Sequence, residues 1–194
     1  MAGDGASPME GDAHLSPVTP LDPPAAYPAG LNRAEILPDG TPIRVRPIVP
    51  ADIERVRHAF AVGDVETIRG RFFTGAPPSG EDHLHYLVEI DYVMRLALVA
   101  IDMDGNSIGI ARYEGVEGLG SAEIAIVVDP EWRSRSVGRT LVTALEAPAR
   151  DAGITEFEAL FLPGNRVIAA LLESLGYGDR RLEDGLVRVT KPIS

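Results

Sequence analysis

The sequence predicts one mixed α/β domain, built on a central, mostly antiparallel sheet that about four helices flank. One observation behind this prediction is the order of the candidate elements, β-α-α-β-β-β-α-β-α-β, in which three strands follow one another directly. The other is size. A chain of 194 residues with 45% hydrophobic content suffices for one sizeable core and is too short for two.

Residues 1–33 differ in composition from the rest of the chain. Six prolines fall within the first 30 residues, and no hydrophobic period appears among them. Such a segment buries too little apolar surface to offset the entropy lost on ordering it. We predict a Pro/Gly-rich, disordered or loosely attached tail over residues 1–33, with Tyr27 able to dock on the domain. The folded domain is predicted over residues 34–194.

The first half of the domain begins with a half-buried strand at residues 42–47, where apolar and charged residues alternate. Pro50 suits the first turn of the helix that follows. A second helical region covers residues 65–73. After a break rich in proline, Ser79 or Gly80 caps a third helix, whose apolar residues lie along one face.

The second half contains three strands in succession, a helix, a strand, a second helix and a final strand. These elements cover, in order, residues 95–101, 107–114, 121–128, 138–152, 154–162, 164–175 and 186–191. Glycine-containing turns separate the three successive strands, as in hairpins. Gly153 and Gly176 end the two helices, because glycine readily takes the left-handed conformation that closes a helix.

Composition excludes several classes of function. The formal net charge of −11 disfavours nucleic acid and membranes as partners. The absence of cysteine excludes disulfides, thiol catalysis and cysteine metal sites. His83 and His85 lie two residues apart without a third ligand at a suitable spacing, so we expect exposed helix residues and no metal. The sequence shows neither a secretory signal nor a membrane span, and we expect a cytoplasmic protein.

The strongest functional pattern lies in residues 122–141. An apolar strand with Glu123 near its start leads into Asp129-Pro130, then into an arginine-rich turn over residues 133–138, and then into a helix. Such a turn directs several backbone N–H groups and the positive end of a helix to one place. The pattern predicts a pyrophosphate-binding site beside a carboxylate.

The element order and this turn together resemble the GNAT superfamily of acyl-CoA-dependent N-acetyltransferases, over residues 42–192. The superfamily's cofactor loop has the pattern Arg/Gln-x-x-Gly-x-Gly/Ala. Arg133 and Gly138 match it, whereas Ser136 occupies the position of the first glycine. Glycine there lets the backbone approach the pyrophosphate closely, and serine is a small departure that adds a hydroxyl donor.

A second motif of the superfamily appears in the next helix, which opens with Asn165 and ends with Gly176-Tyr177. Leu172 stands where many members have a tyrosine that serves as general acid. Because leucine has no proton to give, the resemblance does not extend to that variant of the mechanism.

Within the superfamily, the chain is most similar to the bacterial Pat-like protein-lysine acetyltransferases. Their domain carries the pattern Glu-apolar-Ala-apolar-x-Val before the cofactor loop, and residues 123–128, Glu-Ile-Ala-Ile-Val-Val, fit it without a gap. The resemblance implies a GNAT fold whose central strand splays from its neighbour, with acetyl-CoA as cosubstrate and no metal. The cofactor-binding residues that it implies are Ile126, Val127, Val128, Arg133, Ser134, Arg135, Ser136, Val137, Gly138, Arg139, Thr140 and Asn165.

Amide formation from acetyl-CoA assigns a task to Glu123. A lysine ammonium, with a pKa near ~10.4, must lose a proton before it attacks. Glu123 shares a strand face with Ala125 and Val127, and apolar surroundings make a carboxylate a stronger base. We predict that Glu123 is the general base and that a backbone N–H of the same strand meets the oxyanion. The alternative is a solvated acid at the exposed end of a strand.

Three further residues are predicted to contact the acceptor. Glu114, on the neighbouring strand, would attract a cationic amine, and Arg71 with Phe72 would shape the acceptor pocket. The alternative interpretations are a surface acid for Glu114, and one core and one partly exposed aromatic for Phe72 and Phe73.

The sequence therefore supports an acetyl-CoA-dependent N-acetyltransferase acting by direct attack, with a protein lysine ε-amine as the acceptor that the resemblance implies. A small-molecule amine is the first alternative, and a catalytically idle acyl-CoA-binding or regulatory module is the second. The acyl group and the oligomeric state, including a homodimer, stay open at this point.

Overall fold

The computed structural model describes residues 23–62 and 80–193, and within them the chain forms one eight-stranded sheet with helices on both faces. The strands are β1 (Arg33–Ile36), β2 (Pro42–Pro47), β3 (Arg95–Ile101), β4 (Ser107–Gly115), β5 (Ser121–Val128), β6 (Glu156–Phe161), β7 (Gly178–Glu183) and β8 (Leu186–Pro192). The α-helices in the described ranges are α1 (Ile53–Val62), α2 (Glu81–Val88), α3 (Val137–Asp151) and α4 (Arg166–Ser174). None of these helices is long and apolar enough to cross a bilayer.

The strand order is β1-β2-β3-β4-β5-β6-β8-β7, and every neighbouring pair except β5–β6 is antiparallel. The strands from β1 to β5 lie side by side in chain order. Helix α3 carries the chain from the end of β5 back to the start of β6, and such a crossover makes the two strands parallel. The predicted mixed, mostly antiparallel fold is confirmed.

Two hydrophobic cores lie on opposite faces of the sheet. Strand β3 contributes to both: Leu96 and Leu98 enter the larger core, and Ala97 and Val99 enter the smaller one. The larger core packs against α3 and α4, and the smaller one against α1 and α2. Because a central strand is covered on both faces, its sequence is a continuous apolar run rather than an alternating one.

The two edge strands that pair with β2 and β8 were not anticipated from the sequence. Strand β7 is exposed at every position and has the sequence Gly-Asp-Arg-Arg-Leu-Glu, while β1 has only four residues. Neither shows the apolar alternation by which a half-buried strand is recognised. The helix predicted at residues 65–73 lies outside the described residues.

The described part of the predicted tail is in contact with the domain. The ring of Tyr27 meets that of Tyr92 edge-on, with 5.9 Å between centroids, and Leu31 packs against the larger core. Strand β1 begins at Arg33. Contacts with the domain therefore start before residue 34, and residues 1–22 lie outside the described part of the chain.

A buried ion pair anchors the start of α1 to β2. Arg46 donates two hydrogen bonds to the carboxylate of Asp52, at 2.6 and 2.7 Å, and both side chains are almost completely buried. Asp52 also accepts a hydrogen bond from the backbone N–H of Val49 at 2.9 Å. The register of the helix against the sheet therefore depends on two charges that water does not reach.

Strands β5 and β6 separate soon after they meet. Their ladder joins Ser121 to Glu156, Ala122 to Phe157 and Glu123 to Glu158, and no further pair follows. Beyond Glu123, β5 pairs only with β4 among the described strands. The splay that the sequence analysis expected therefore begins after Glu123.

Substitution of Asp52 by alanine is expected to lower the free energy of unfolding by about 3–5 kcal/mol, because it leaves the Arg46 guanidinium buried without its counter-ion. Denaturant titration measures the change. Glu54→Ala serves as the control, since the Glu54 side chain is exposed and pairs only with surface arginine Arg57, and it should cost no more than about 1 kcal/mol. Equal losses in the two variants would contradict the anchoring role.

Candidate functional site

A tight turn connects β5 to α3. Asp129 opens it by accepting a hydrogen bond from the N–H of Glu131 at 2.9 Å, which closes a short 3-10 turn at Pro130–Trp132. Ser134 and Ser136 then adopt left-handed conformations, with φ of 61° and 70°. Left-handed backbone costs a non-glycine residue about 1–2 kcal/mol, which explains why the related loop pattern has glycine at the position of Ser136.

Ser136 is the N-cap residue of α3, but its hydroxyl makes no capping hydrogen bond. The first N–H groups of a helix have no partner within the helix and together carry a partial positive charge. The side chain of Ser136 therefore does not cap these N–H groups, and a helix start of this kind can bind an anion.

A groove of about 550 Å³ runs from this turn along α4. Its charged lining residues are three arginines, without a carboxylate, in a chain whose formal net charge is −11. A groove of this size and charge suits an anionic ligand of cofactor dimensions. The lining residues are Val128, Trp132, Arg133, Ser134, Ser136, Val137, Gly138, Arg139, Arg166, Val167, Ala170, Leu171 and Ser174.

Helix α4 forms one wall of the groove, and sequence reasoning missed that wall. Val167, Ala170 and Leu171 lie at helical spacing along it, and Val167 is exposed although it is apolar. Arg166 adds a third positive charge. The signal was present in the apolar spacing of α4, but such spacing ordinarily indicates a core face.

Close packing brings the two walls together at Gly138. A Cβ atom at this position would lie 3.0 Å from Cδ2 of Leu171 and 3.5 Å from Cγ2 of Val128. Arg139 bridges the walls further along, donating to the backbone oxygen of Ser174 at 3.1 Å and to its hydroxyl at 2.7 Å. The absence of a side chain at Gly138 thus sets how closely α3 approaches α4.

Five of the twelve predicted cofactor residues lie outside the groove lining. Val127 faces the opposite side of the sheet, and Ile126 is buried beneath Gly138. Thr140 lies one turn into α3, where its N–H bonds to the oxygen of Ser136. Asn165 caps α4 by accepting from the N–H of Ile168 at 3.1 Å.

The fifth residue, Arg135, turns away from the groove. Its Nε donates to Oδ2 of Asp39 at 2.9 Å, and its Nη2 donates to the hydroxyl of Thr41 at 2.6 Å. The guanidinium also lies 4.2 Å from the centre of the Trp132 ring. The structure therefore places Arg135 between the turn and the β1–β2 hairpin.

Glu123 lies on the other face of the sheet, at the last position where β5 pairs with β6. It stands directly opposite Glu114 of β4 and beside Glu158 of β6. Like charges at directly opposed positions destabilise a sheet. Arginines partner the two outer carboxylates: Arg112 pairs with Glu114, and Arg188 lies 2.8 Å from Glu158.

The surroundings of Glu114 include a tyrosine and a buried arginine. The hydroxyl of Tyr86 donates to Oε2 of Glu114 at 3.1 Å. Burial, followed by the negative charge of Glu114, raises the pKa of Tyr86. Arg112 is only 5% exposed and also donates to the backbone oxygen of Leu87. Glu114 thus lies at the surface, and the buried guanidinium of Arg112 balances its negative charge.

A small apolar cavity lies on the same face as Glu123, beneath α1 and α2. Its volume is about 30 Å³, enough for one or two waters. The residues lining it are Ile48, Val56, Ala59, Leu87, Ala97, Ile110, Arg112, Ala125 and Val127. The predicted acceptor residues Arg71 and Phe72, in contrast, lie outside the described residues.

The two histidines near the start of α2 have different surroundings. His85 is exposed, with Nδ1 3.1 Å from Oε1 of Glu89, as the sequence analysis expected. His83 is instead buried, and its ring stacks on Tyr86. In residues 23–62 and 80–193, no group of three or more histidine, aspartate or glutamate side chains is arranged to hold a metal.

The family comparison agrees with the arrangement of turn, splay and helix. The model of the acetyltransferase (GNAT) family matches residues 64–177. The chain belongs to this family. The GNAT domain of PAT from S. lividans has a similar structure, with a TM-score of 0.75 and 30% identity. The match covers 86% of this chain and 99% of that domain.

Two relatives are longer than the region that they share with this chain. Acetyltransferase Pat of Mycolicibacterium smegmatis is 30% identical over 135 residues, which are 68% of this chain and 40% of that protein. Mycothiol acetyltransferase of Geodermatophilus obscurus is 41% identical over 85 residues, which are 44% of this chain and 27% of that protein. The chain therefore spans less than half the length of either relative.

Replacement of Ser136 by glycine tests the strain in the turn. The variant should be more stable by up to about 1 kcal/mol, because relief of the left-handed conformation outweighs the extra entropy of glycine in the unfolded chain. Denaturant unfolding gives the difference. Ala147→Gly, at an exposed position of α3, should instead lose about 1 kcal/mol. A clear loss in Ser136→Gly would mean that the serine hydroxyl stabilises the turn.

Proposed function

We propose that this GNAT domain transfers the acetyl group of acetyl-CoA to a primary amine, and that the acceptor is the ε-amine of a protein lysine. The observation that carries the proposal is the position of Glu123. It lies at the last position where β5 pairs with β6, on the opposite face of the sheet from the arginine-lined groove.

The groove fits the phosphate-bearing part of the cosubstrate. Arg133, Arg139 and Arg166 would neutralise its phosphates, while the N–H groups at the start of α3 would bind the pyrophosphate. Gly138 supports this assignment, because any side chain there would enter the space between α3 and α4. Ser136 departs from the family's glycine but already holds the left-handed backbone that the turn requires.

Bound acetyl-CoA would supply a thioester, whose carbonyl carbon accepts the amine nitrogen as the carbon–sulfur bond breaks. Between Ile124 and Val128, backbone groups of β5 face the splay without a partner strand on that side in the described residues. Their N–H groups are the candidates to polarise the carbonyl oxygen, as sequence reasoning expected for Ile126 to Val128.

Glu123 would remove the proton that the ammonium must lose, directly or through a water. The chain has no cysteine to form a thioester intermediate, so direct attack within a ternary complex is the mechanism we propose. Leu172 is buried in the larger core and supplies no acid. A thiol has an ordinary pKa near ~8.5 and therefore leaves with little help from an acid.

The charge of the acceptor face favours a cationic amine. Glu114, Glu123 and Glu158 form a row across β4, β5 and β6. Arginine partners reduce the repulsion within the row but do not remove its carboxylates from the surface. An ammonium that approaches Glu123 would thus be attracted before it gives up its proton.

A protein lysine is proposed because the sequence resembles the Pat-like protein-lysine acetyltransferases, and the similarity to Pat and to the S. lividans PAT domain supports that resemblance. A small amine is the second candidate, and the similarity to mycothiol acetyltransferase favours it. We expect residues 65–95 to form the acceptor groove, whose width would distinguish the two candidates, and residues 65–79 lie outside the described ranges. Within this proposal the domain acts in the cytoplasm, and a homodimer stays an open prediction.

Substitution of Glu123 by glutamine is expected to lower kcat by about 10²- to 10⁴-fold while the Kd for CoA stays unchanged, because glutamine is isosteric and accepts no proton. Steady-state kinetics and calorimetry separate the two effects. Glu35→Gln, at the far edge of the sheet, is the control and should retain full activity. Full activity of Glu123→Gln from about pH 6 to 9 would show that another group is the base.

The acceptor is tested by measuring CoA release with a panel of amines. Lysine-bearing proteins should give a higher kcat/KM than a polyamine, an aminoglycoside or an amino sugar. The opposite ranking would favour a small-molecule enzyme. Tight CoA binding without turnover on any acceptor would leave a non-catalytic acyl-CoA-binding module as the function.

A further inference from the structure

The arginine-rich turn contains one arginine whose position the proposed function does not explain. Arg133 and Arg139 line the groove, whereas Arg135, between them in sequence, does not. Its contacts are instead with Asp39 and Thr41, about one hundred residues earlier in the chain, and with Trp132. The positive charge of Arg135 is therefore directed at a hairpin that is distant in sequence, and not at the groove.

Two strained residues flank Arg135. Ser134 and Ser136 both have positive φ angles, a conformation that residues with a Cβ rarely hold without support from their surroundings. Ser134 and Ser136 both line the groove. Contacts that fix the position of Arg135 therefore also stabilise the conformation of the turn on both sides of it.

The contacts of Arg135 supply that support. The guanidinium reaches both Asp39 and Thr41 while its plane lies over the Trp132 ring, and Trp132 itself lines the groove. Asp39 is fixed in turn, because its Oδ1 accepts the N–H of Thr41 at 2.9 Å. The hairpin end of β1 and β2 is thereby tied to the turn through a single side chain.

We propose that Arg135 and Asp39 form a clamp that positions the turn for the pyrophosphate of the cosubstrate, without touching the cosubstrate themselves. The inference rests on the proposed function, since it assigns the turn to CoA. It makes Arg135 a positioning residue and gives the β1–β2 hairpin a role in cofactor affinity. Preorganisation of this kind lowers the cost of ordering a loop on binding.

The clamp should persist through the whole neutral range. Hydrogen bonds from Thr41, together with that from Arg135, lower the pKa of Asp39 from 3.8 to about 2. A carboxylate with a lowered pKa keeps its interaction above its ordinary pKa and loses it only as the pH falls toward 2. Differences between clamp variants are thus expected to be independent of pH above about 4.

Removing each charge in turn distinguishes a clamp from simple electrostatics. Asp39→Ala removes a negative charge near an anionic ligand, and Arg135→Ala removes a positive one. If only the charges mattered, the first variant would bind CoA more tightly and the second more weakly. If the contact matters, both variants bind more weakly, and the double variant binds no more weakly than either single one.

The experiment measures the Kd for CoA by calorimetry on the full chain, together with KM and kcat. We expect a three- to tenfold rise in Kd and in KM for acetyl-CoA in Asp39→Ala and Arg135→Ala, with kcat unchanged at saturation. Arg135→Lys keeps the charge but not the planar, two-partner contact, and it should fail to restore affinity. Arg150→Ala, the same charge change at the far end of α3, should bind as the wild type does.

Two outcomes would overturn the proposal while the proposed function stands: Asp39→Ala binds CoA as tightly as the wild type or more tightly, or Arg135→Lys binds as the wild type does. A wild-type chain that binds no CoA would instead refute the proposed function, and the clamp with it. A fall in kcat at unchanged KM would place Arg135 in the chemistry rather than in positioning.

Discussion

Strands β5 and β6 pair at three positions and then separate, and the candidate site depends on that separation. Strand backbone that loses its partner has N–H and C=O groups that need a ligand or water to satisfy them. The start of α3 lines the groove on the α4 side of the sheet. In the proposed function, this break in the ladder provides the gap for the cosubstrate, and the start of α3 provides the anion site.

The two faces of the sheet differ in charge near this separation, although arginines partner two of the three glutamates on the acidic face. On the α4 side the groove presents three arginines, and on the α1 and α2 side the strands present a row of three glutamates. An anionic donor and a cationic acceptor would therefore approach from different sides and meet at the opening. The net negative charge of the whole chain strengthens the attraction of a cationic acceptor. It also makes local arginines necessary to attract an anionic donor.

The arginine-rich turn shows why residue type alone does not establish a contact. Arg133, Arg135 and Arg139 are equivalent in sequence as carriers of positive charge, yet they have three different surroundings. Arg133 lines the groove, Arg139 bridges to Ser174, and Arg135 reaches the β1–β2 hairpin. Ser134 and Ser136, which stand between these arginines, have left-handed conformations.

The sequence by itself determined the order of the buried elements, the turn before α3 and the strand position of Glu123, because hydrophobic period and glycine placement are local properties. It did not reveal the exposed strands β1 and β7, the α4 wall of the groove or the buried state of His83. Only the tertiary structure decided that Glu114, Glu123 and Glu158 share one row and that Arg135 meets Asp39. These relations join residues far apart in the chain, and strand register and packing, rather than local propensity, bring them together.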